Sequence, residues 1–492
     1  MNSLDAPQYA LTQALVEKKT IKINNYTQWI YPDFAQYKNN IYSLRTPGES
    51  IVAIPFYLFA KTLQPVANFP YKDPTYTGIT KESNREALSI LYNATFGAAA
   101  AVLLFFLSWE LTASLTVSII TSLSFGLGTL IWRYSSSFQR FSVVSFFLLA
   151  AFFIYIKYFL KKKFTPFAIL IFGFSIGITF LIDHSVIFLL LLLSIAAFIE
   201  TLQTPKALIK MRYFLYTALI PIFIFLLYNF IAFDNPFTSG YMYMETRPYF
   251  KNPVFIYSLP VFPGIITNLF SNGPIPRNVF PDKLWNDPLY LQSNTNMEWA
   301  IRNHYKGLFT QSPFLYLAIA GLLIALRKRK KIIVLSLLLS SLTIIQTSKL
   351  VYFYGPTAYD SHYFLPAVTF LIIGLAFWWK KILDIKNQLI KLPFILLSVF
   401  ATLFAIYNGW YSALTNFAPH VTGEHRFYFE QLKQPFLHYT NENLSMLFIN
   451  TFPNIYNIHL LFLFYFPLFF IIYLLLFQRK LTKRIISKLI HR

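Results

Sequence analysis

The sequence predicts an all-α, polytopic transmembrane helical bundle, and three observations carry that expectation. Apolar runs long enough to cross a bilayer recur from Leu88 to Phe477. Lipid offers the backbone no hydrogen-bond partner, so about 20 apolar residues in a row cross it as a helix. Of the 492 residues, 56% are hydrophobic and only 13% charged, roughly half the charged share of an ordinary soluble chain. The breaks between runs are alternately rich and poor in Lys and Arg, the pattern that orients spans in a membrane.

Eleven spans are expected, near 86–108, 114–132, 141–160, 165–182, 185–202, 213–233, 312–326, 332–348, 363–379, 392–410 and 458–477. Lys161 to Lys163 follow the third span. Lys206, Lys210 and Arg212 follow the fifth, Arg327 to Lys331 the seventh, and Lys380, Lys381, Lys386 and Lys391 the ninth. With the tail Arg479 to Arg492, these segments hold half of the chain's 42 basic residues. They fall on one side by parity, which the positive-inside rule makes cytoplasmic. The short loops opposite, 133–140, 183–184, 349–362 and 411–457, hold only five basic residues.

The segment 50–63 is apolar but short, and as a span it would invert every later loop. It is read as a helix in the outer interface, with Phe56, Tyr57 and Phe59 suited to that level. The organisation expected is a first external loop with this juxtamembrane helix (1–85), a bundle (86–233), a long external loop (234–311), a second bundle (312–477) with external loop 411–457, and a basic cytoplasmic tail (478–492). Eleven spans and an inside C-terminus put Met1 outside, although the first 20 residues hold no apolar core. A further span upstream of Met1 is therefore expected.

Composition also excludes. The chain has no Cys, which removes disulfides, thiolate metal sites and thiol catalysis. The net charge of +22 sits mainly in short loops and reads as membrane orientation, so no nucleic-acid partner is expected. No phosphate-binding glycine loop, zincin motif or nucleophile elbow occurs. His420, Glu424 and His425 do not have the spacing of a helical metal-ligand pair, and no metal-ligating set is assigned.

The residues with chemistry at the external side are few. Asp5 can accept a proton from a hydroxyl, or hold it by a charge-assisted bond; it suits an N-cap before Ala6-Pro7 equally well. Arg45, in Tyr42-Ser43-Leu44-Arg45-Thr46-Pro47-Gly48, can grip a phosphate bidentately at headgroup level. Arg133 and Arg140 bracket a short external turn against the charge rule, and Asp183-His184 sits between two spans with almost no loop. The hairpin Lys349 to Pro366 gathers Lys349, Tyr359, Asp360 and His362.

In order and spacing these segments resemble the GT-C membrane glycosyltransferases, in the bacterial and archaeal branch related to protein O-mannosyltransferases and aminoarabinose transferases. Ser3 to Thr12 resembles that family's first external loop, and Tyr42 to Gly48 its motif ahead of a juxtamembrane helix. Tyr228 to Pro236 resembles the Asn-containing end of a middle span, Gly307 to Pro313 the start of the next helix, and Gly355 to Pro366 the late aromatic hairpin. Relatives commonly carry Arg where His362 stands and His or Glu near Arg140, and a second external acidic residue has no secure counterpart.

The resemblance implies an inverting transfer of sugar from a polyprenyl-phosphate donor to a glycan, lipid or protein acceptor at the external face of the cell membrane. In it Asp5 is the catalytic carboxylate, and Arg45, Lys349, His362 and Arg140 contact the donor phosphate. Tyr9, Tyr42, Tyr359 and Asp360 bind substrate. A divalent metal, Mg or Mn, is left open as the single cofactor. The alternatives are a lipid-linked glycan transporter or flippase, and an inactive scaffold of the same fold. A transporter would place paired charges near mid-membrane, often with internal repeats; no convincing repeat is read, and the charges cluster at span ends.

Overall fold

The computed structural model describes residues 6–30, 33–63, 91–135, 138–245, 251–275, 279–280, 304–351 and 362–414. Over these the chain is an all-α bundle with seven helices long and apolar enough to cross a membrane. The expected span 458–477 and the tail lie outside the described residues.

The chain opens with α1 (Ala6–Gln13), every residue of which is buried, and a two-stranded hairpin, β1 (Phe34–Tyr37) and β2 (Asn40–Ser43). Lys38 and Asn39 join the strands with φ of 45° and 61°, the geometry of the two-residue turn that matches strand twist. Helix α2 runs Gly48–Leu63, starting two residues before the expected 50.

The first bundle is α3 (Leu91–Thr112), α4 (Leu115–Gly128), α5 (Leu130–Ser135), α6 (Phe141–Ile154, continued by a π-turn Tyr155–Phe159), α7 (Pro166–Ile182), α8 (Ile187–Leu202) and α9 (Ala207–Phe233). Local chemistry sets several starts. The Ser114 and Thr165 hydroxyls cap α4 and α7, accepting from Val117 N and Ala168 N, and Pro166 occupies the first turn where no N–H is needed. The expected span 114–132 is broken at Thr129, whose extended backbone separates α4 from α5. Alone, α4 rises only about 21 Å, short of the ~30 Å hydrocarbon core.

After α10 (Val261–Phe270) and the short strands Asn272–Pro274 and His304–Lys306 comes a second bundle. It consists of α11 (Phe314–Ala325), α12 (Lys330–Ser348), α13 (Leu365–Leu371), α14 (Ile373–Leu383) and α15 (Gln388–Leu414).

Small residues let helices touch. A Cβ on Gly177 of α7 would lie 2.4 Å from the Ala218 carbonyl of α9, and one on Gly173 would lie 2.5 Å from the Phe214 carbonyl. This is the small-xxx-small contact by which membrane helices pack without a hydrophobic drive. A large core runs through the bundle, around residues such as Phe152, Phe172 and Trp379. A second core unites Ala10, Leu11, Ile23, Phe34 and Tyr42 with Tyr228, Phe233 and Met244. The N-terminal segment is thereby folded onto the C-terminal end of α9.

Polar contacts tie helix ends together in two groups. At one end Lys161 pairs with Glu110, and Glu200 takes both Lys162 and Lys331. At the other end Thr46 Oγ1 donates to Ile182 O at 2.6 Å, Asn93 Nδ2 donates to Gln139 O, and Gln346 Nε2 donates to Ser185 O at 2.9 Å. The hairpin joins this second group: Lys38 and Tyr37 both bond to Asp234, which closes α9 in a left-handed cap.

Candidate functional site

The second end carries the polar cluster. The turn before α2 is wedged against the end of α7, because a Cβ on Gly48 would lie 2.5 Å from the Leu181 carbonyl carbon. Only glycine permits that approach. It places Arg45 and Glu49 beside the α7–α8 corner that holds Asp183. From α1, the Gln8 amide donates to Thr46 O at 3.3 Å, and Ser50 Oγ donates to Gln8 Oε1 at 2.7 Å. The start of α1, the Arg45 turn and the α7 end are thus laced together.

Arg140, just before α6, donates from Nε to Asp183 Oδ2 at 2.5 Å, with side chains only 9% and 8% exposed. Asp183 Oδ1 accepts from Ser185 N at 3.1 Å and Ser185 Oγ at 2.6 Å. Burial alone would raise the Asp183 carboxyl, but the Arg140 charge outweighs it and holds the group below its usual range. For Arg140, burial pulls downward and Asp183 more than reverses it, so the guanidinium stays charged.

Glu49, fully buried in the first turn of α2, accepts from Tyr92 Oη at 2.5 Å. Burial pushes its carboxyl up to about 7, against the opposing pull of Tyr92, Arg45 and Arg140. The Phe141 ring lies 4.9 Å from the Arg140 guanidinium and 4.6 Å from the His362 ring. His362 is buried, within electrostatic reach of Arg45, Arg133 and Arg140.

The chemical character follows from what is left unpaired. Arg45 Nη1 and Arg140 Nη1 are both buried with no hydrogen-bond acceptor among the described residues. A buried guanidinium donor without an acceptor is costly, and two in one cluster suit an anionic ligand. Asp183 spends both oxygens on Arg140 and Ser185, so it does not fit a metal-ligand role. Among the described residues no group of three or more His, Asp or Glu is arranged to hold a metal ion.

Of the residues singled out in the sequence, Arg45, Arg140 and His362 come together here. Lys349 caps α12 with its side chain exposed, its carbonyl accepting from Leu259 N at 3.2 Å. Tyr9 is buried against Tyr57 and Phe138, with ring centroids 5.9 and 5.6 Å away, and Tyr42 packs on Phe233 at 5.5 Å. Asp5, Tyr359 and Asp360 lie outside the described residues, as does the segment 420–425. Glu49 and Tyr92 were given no role in the sequence. The available signal was Glu49 itself, an acid opening an apolar helix four residues after Arg45. Asp183 was noted beside His184, whereas its partner is Arg140.

No family model and no curated protein matches the chain. Among solved structures it is similar to the archaeal oligosaccharyltransferase AglB from Archaeoglobus fulgidus, in complex with an inhibitory peptide and a dolichol-phosphate. The identity is 12% and the TM-score 0.44, over 84% of this chain and 52% of that one. It is also similar to a crystal structure of the Archaeoglobus fulgidus oligosaccharyltransferase complexed with Zn and sulfate. There the identity is 14% and the TM-score 0.39, over 89% of this chain and 53% of that one. The chain spans about half the length of each.

Proposed function

We propose that the chain is an integral membrane glycosyltransferase of GT-C type, moving a sugar from a polyprenyl-phosphate donor to an acceptor hydroxyl on the external face, with inversion. The observation that carries this reading is the pair of buried, acceptor-free Nη1 donors of Arg45 and Arg140 at the end of the bundle covered by the N-terminal segment. The domain limits set out from the sequence, with 1–85 and 234–311 external, belong to the same proposal.

The donor's lipid tail lies among the spans and its phosphate against the two guanidiniums. The acceptor oxygen attacks the anomeric carbon from the face opposite the phosphate. The new C–O bond forms as the bond to the phosphate oxygen breaks, and the negative charge that develops there is held by Arg45 and Arg140. Lys349 and His362 are the further donor-phosphate contacts of this proposal, and Tyr9, Tyr42, Tyr359 and Asp360 its substrate-binding residues. The hydroxyl proton passes to Asp5. Ala6, the first described residue of α1, is fully buried. The next polar side chain, Gln8, bonds to the Arg45 turn. An ordinary Asp, with a pKa of about 3.9, is a weak base toward an alcohol. Proton transfer is therefore late, and positioning supplies much of the rate. No step is routed through a metal.

The test is incubation of the purified protein with radiolabelled polyprenyl-phosphate sugars and extracted acceptor lipids. Transfer by the wild type, abolished by Asp5→Asn with insertion near normal, is the expected result. Full activity of that variant would remove Asp5 from the mechanism. A flippase would move label across liposomes with the glycosidic bond intact, and an inactive scaffold would do neither; each contradicts the proposal.

A further inference from the structure

The Lys-rich end of the bundle holds a second recognisable feature. Ile195, Ile199 and Leu202 on α8 and Leu208, Leu219 and Phe223 on α9 are exposed, a surface that only hydrocarbon can cover in a spanning helix pair. Between these helices, α7 and the π-turn after α6 lies a narrow groove open to the surface. Phe159, Phe172, Ala197 and Phe214 line its apolar part, and Lys210 and Thr201 also line it.

The charge around this groove is one-sided. Glu200, next to Thr201, is buried and already neutralised by Lys162 and Lys331, so two lysines against one carboxylate leave an excess of positive charge. The Lys210 ammonium donates to Thr204 Oγ1 at 2.8 Å and lies 4.4 Å from the Phe164 ring. It is shown no carboxylate partner among the described residues, and an ammonium has three protons to give. Lys163 and Lys206 stand exposed on the adjoining turns, and Arg212 stands exposed in the first part of α9.

We propose that this groove binds an anionic phospholipid of the leaflet on the Lys-rich side, one acyl chain in the aromatic slot and the phosphate against Lys210. The lysine stem runs along the apolar wall while its head reaches the headgroup layer, and an anion there meets the excess charge left by the Glu200 pairs. The site is separate from the Arg45–Arg140 cluster and does not depend on the transfer reaction.

The experiment is native mass spectrometry of the full chain released from nanodiscs of equimolar phosphatidylglycerol and phosphatidylcholine, for wild type, Lys210→Gln, Ser194→Leu and the control Lys328→Gln. Ser194 lines the groove and is half-buried, so a larger side chain there fills it. The wild type and the control should retain phosphatidylglycerol in preference to phosphatidylcholine. Lys210→Gln should cut that preference about fivefold, the share of one Lys at an anionic surface. Ser194→Leu should lower retention of phosphatidylglycerol without shifting the unfolding temperature. Equal retention of the two lipids by the wild type, or retention unchanged by Ser194→Leu, overturns the proposal.

Discussion

Replacing Asp183 with Ala strands the Arg140 guanidinium. The pair is buried on both sides, with a 2.5 Å contact from Nε to Oδ2, and an arginine does not shed its proton to escape. Removing one partner of a buried pair costs about 3–5 kcal/mol, because the remaining charge stays desolvated. Two details fix the position within that range. The Phe141 ring, 4.9 Å from the guanidinium, stays and returns about 1 kcal/mol. Ser185 loses the oxygen that accepts from both its N–H and its hydroxyl, which costs about as much again. The expected loss is therefore about 4 kcal/mol, read as equilibrium unfolding in mixed detergent micelles. The double variant Arg140→Met/Asp183→Leu removes both charges and should recover stability to within about 1 kcal/mol of wild type. It should still fail to bind a polyprenyl-phosphate sugar. If Asp183→Ala unfolds within about 0.5 kcal/mol of wild type, as an ordinary surface change would, the pair is not a buried charge contact and the reasoning fails.

Two further outcomes follow from the same packing. Glu49 holds its proton up to about pH 7 in the folded chain, against an ordinary 4.5. A raised carboxyl pKa means that stability is full below pH 4.5 and falls as pH rises to about 7, by no more than about 3 kcal/mol. Subtracting the profile of Glu49→Gln from that of wild type should isolate this slope. Donor affinity should also fall above pH 7 in wild type alone, since ionised Glu49 then competes for Arg45 and Arg140. Parallel profiles for the two proteins would place Glu49 in contact with water. Gly177→Val drives a side chain into the Ala218 carbonyl, 2.4 Å from the new Cβ, and should cost about 1–3 kcal/mol by overpacking. A neutral result in unfolding would mean that α7 and α9 are further apart.

Much of the bundle could be read from the sequence because span formation is a local property. A run of apolar residues must be helical in lipid whatever its neighbours are, so α3, α6, α8, α9, α12 and α15 fall where the runs do. The helix expected at 50–63 was likewise legible from its apolar run, and the chain is helical over Gly48–Leu63. Breaks were harder. Nothing in Gly128-Thr129-Leu130 interrupts the apolar pattern, yet the extended backbone at Thr129 splits the second span. The pairing of Arg140 with Asp183 was out of reach for a different reason. The two residues are 43 positions apart, and only the packing of α6 against α7 makes them meet. Glu49 was visible but not interpretable, since its burial depends on Tyr92. The N-terminal core around Ile23 and Phe34 likewise depends on Phe233, far along the chain.

The account depends on the Arg45–Arg140 end facing the outside of the cell, and the absence of Cys makes that directly measurable. Lys22 and Lys163 are exposed at opposite ends of the bundle, so Lys22→Cys and Lys163→Cys can each be treated with a membrane-impermeant maleimide on intact cells. Labelling of Lys22→Cys at once, and of Lys163→Cys only after permeabilisation, is the predicted result. The opposite pattern would put the guanidinium pair in the cytoplasm and contradict the proposed reaction.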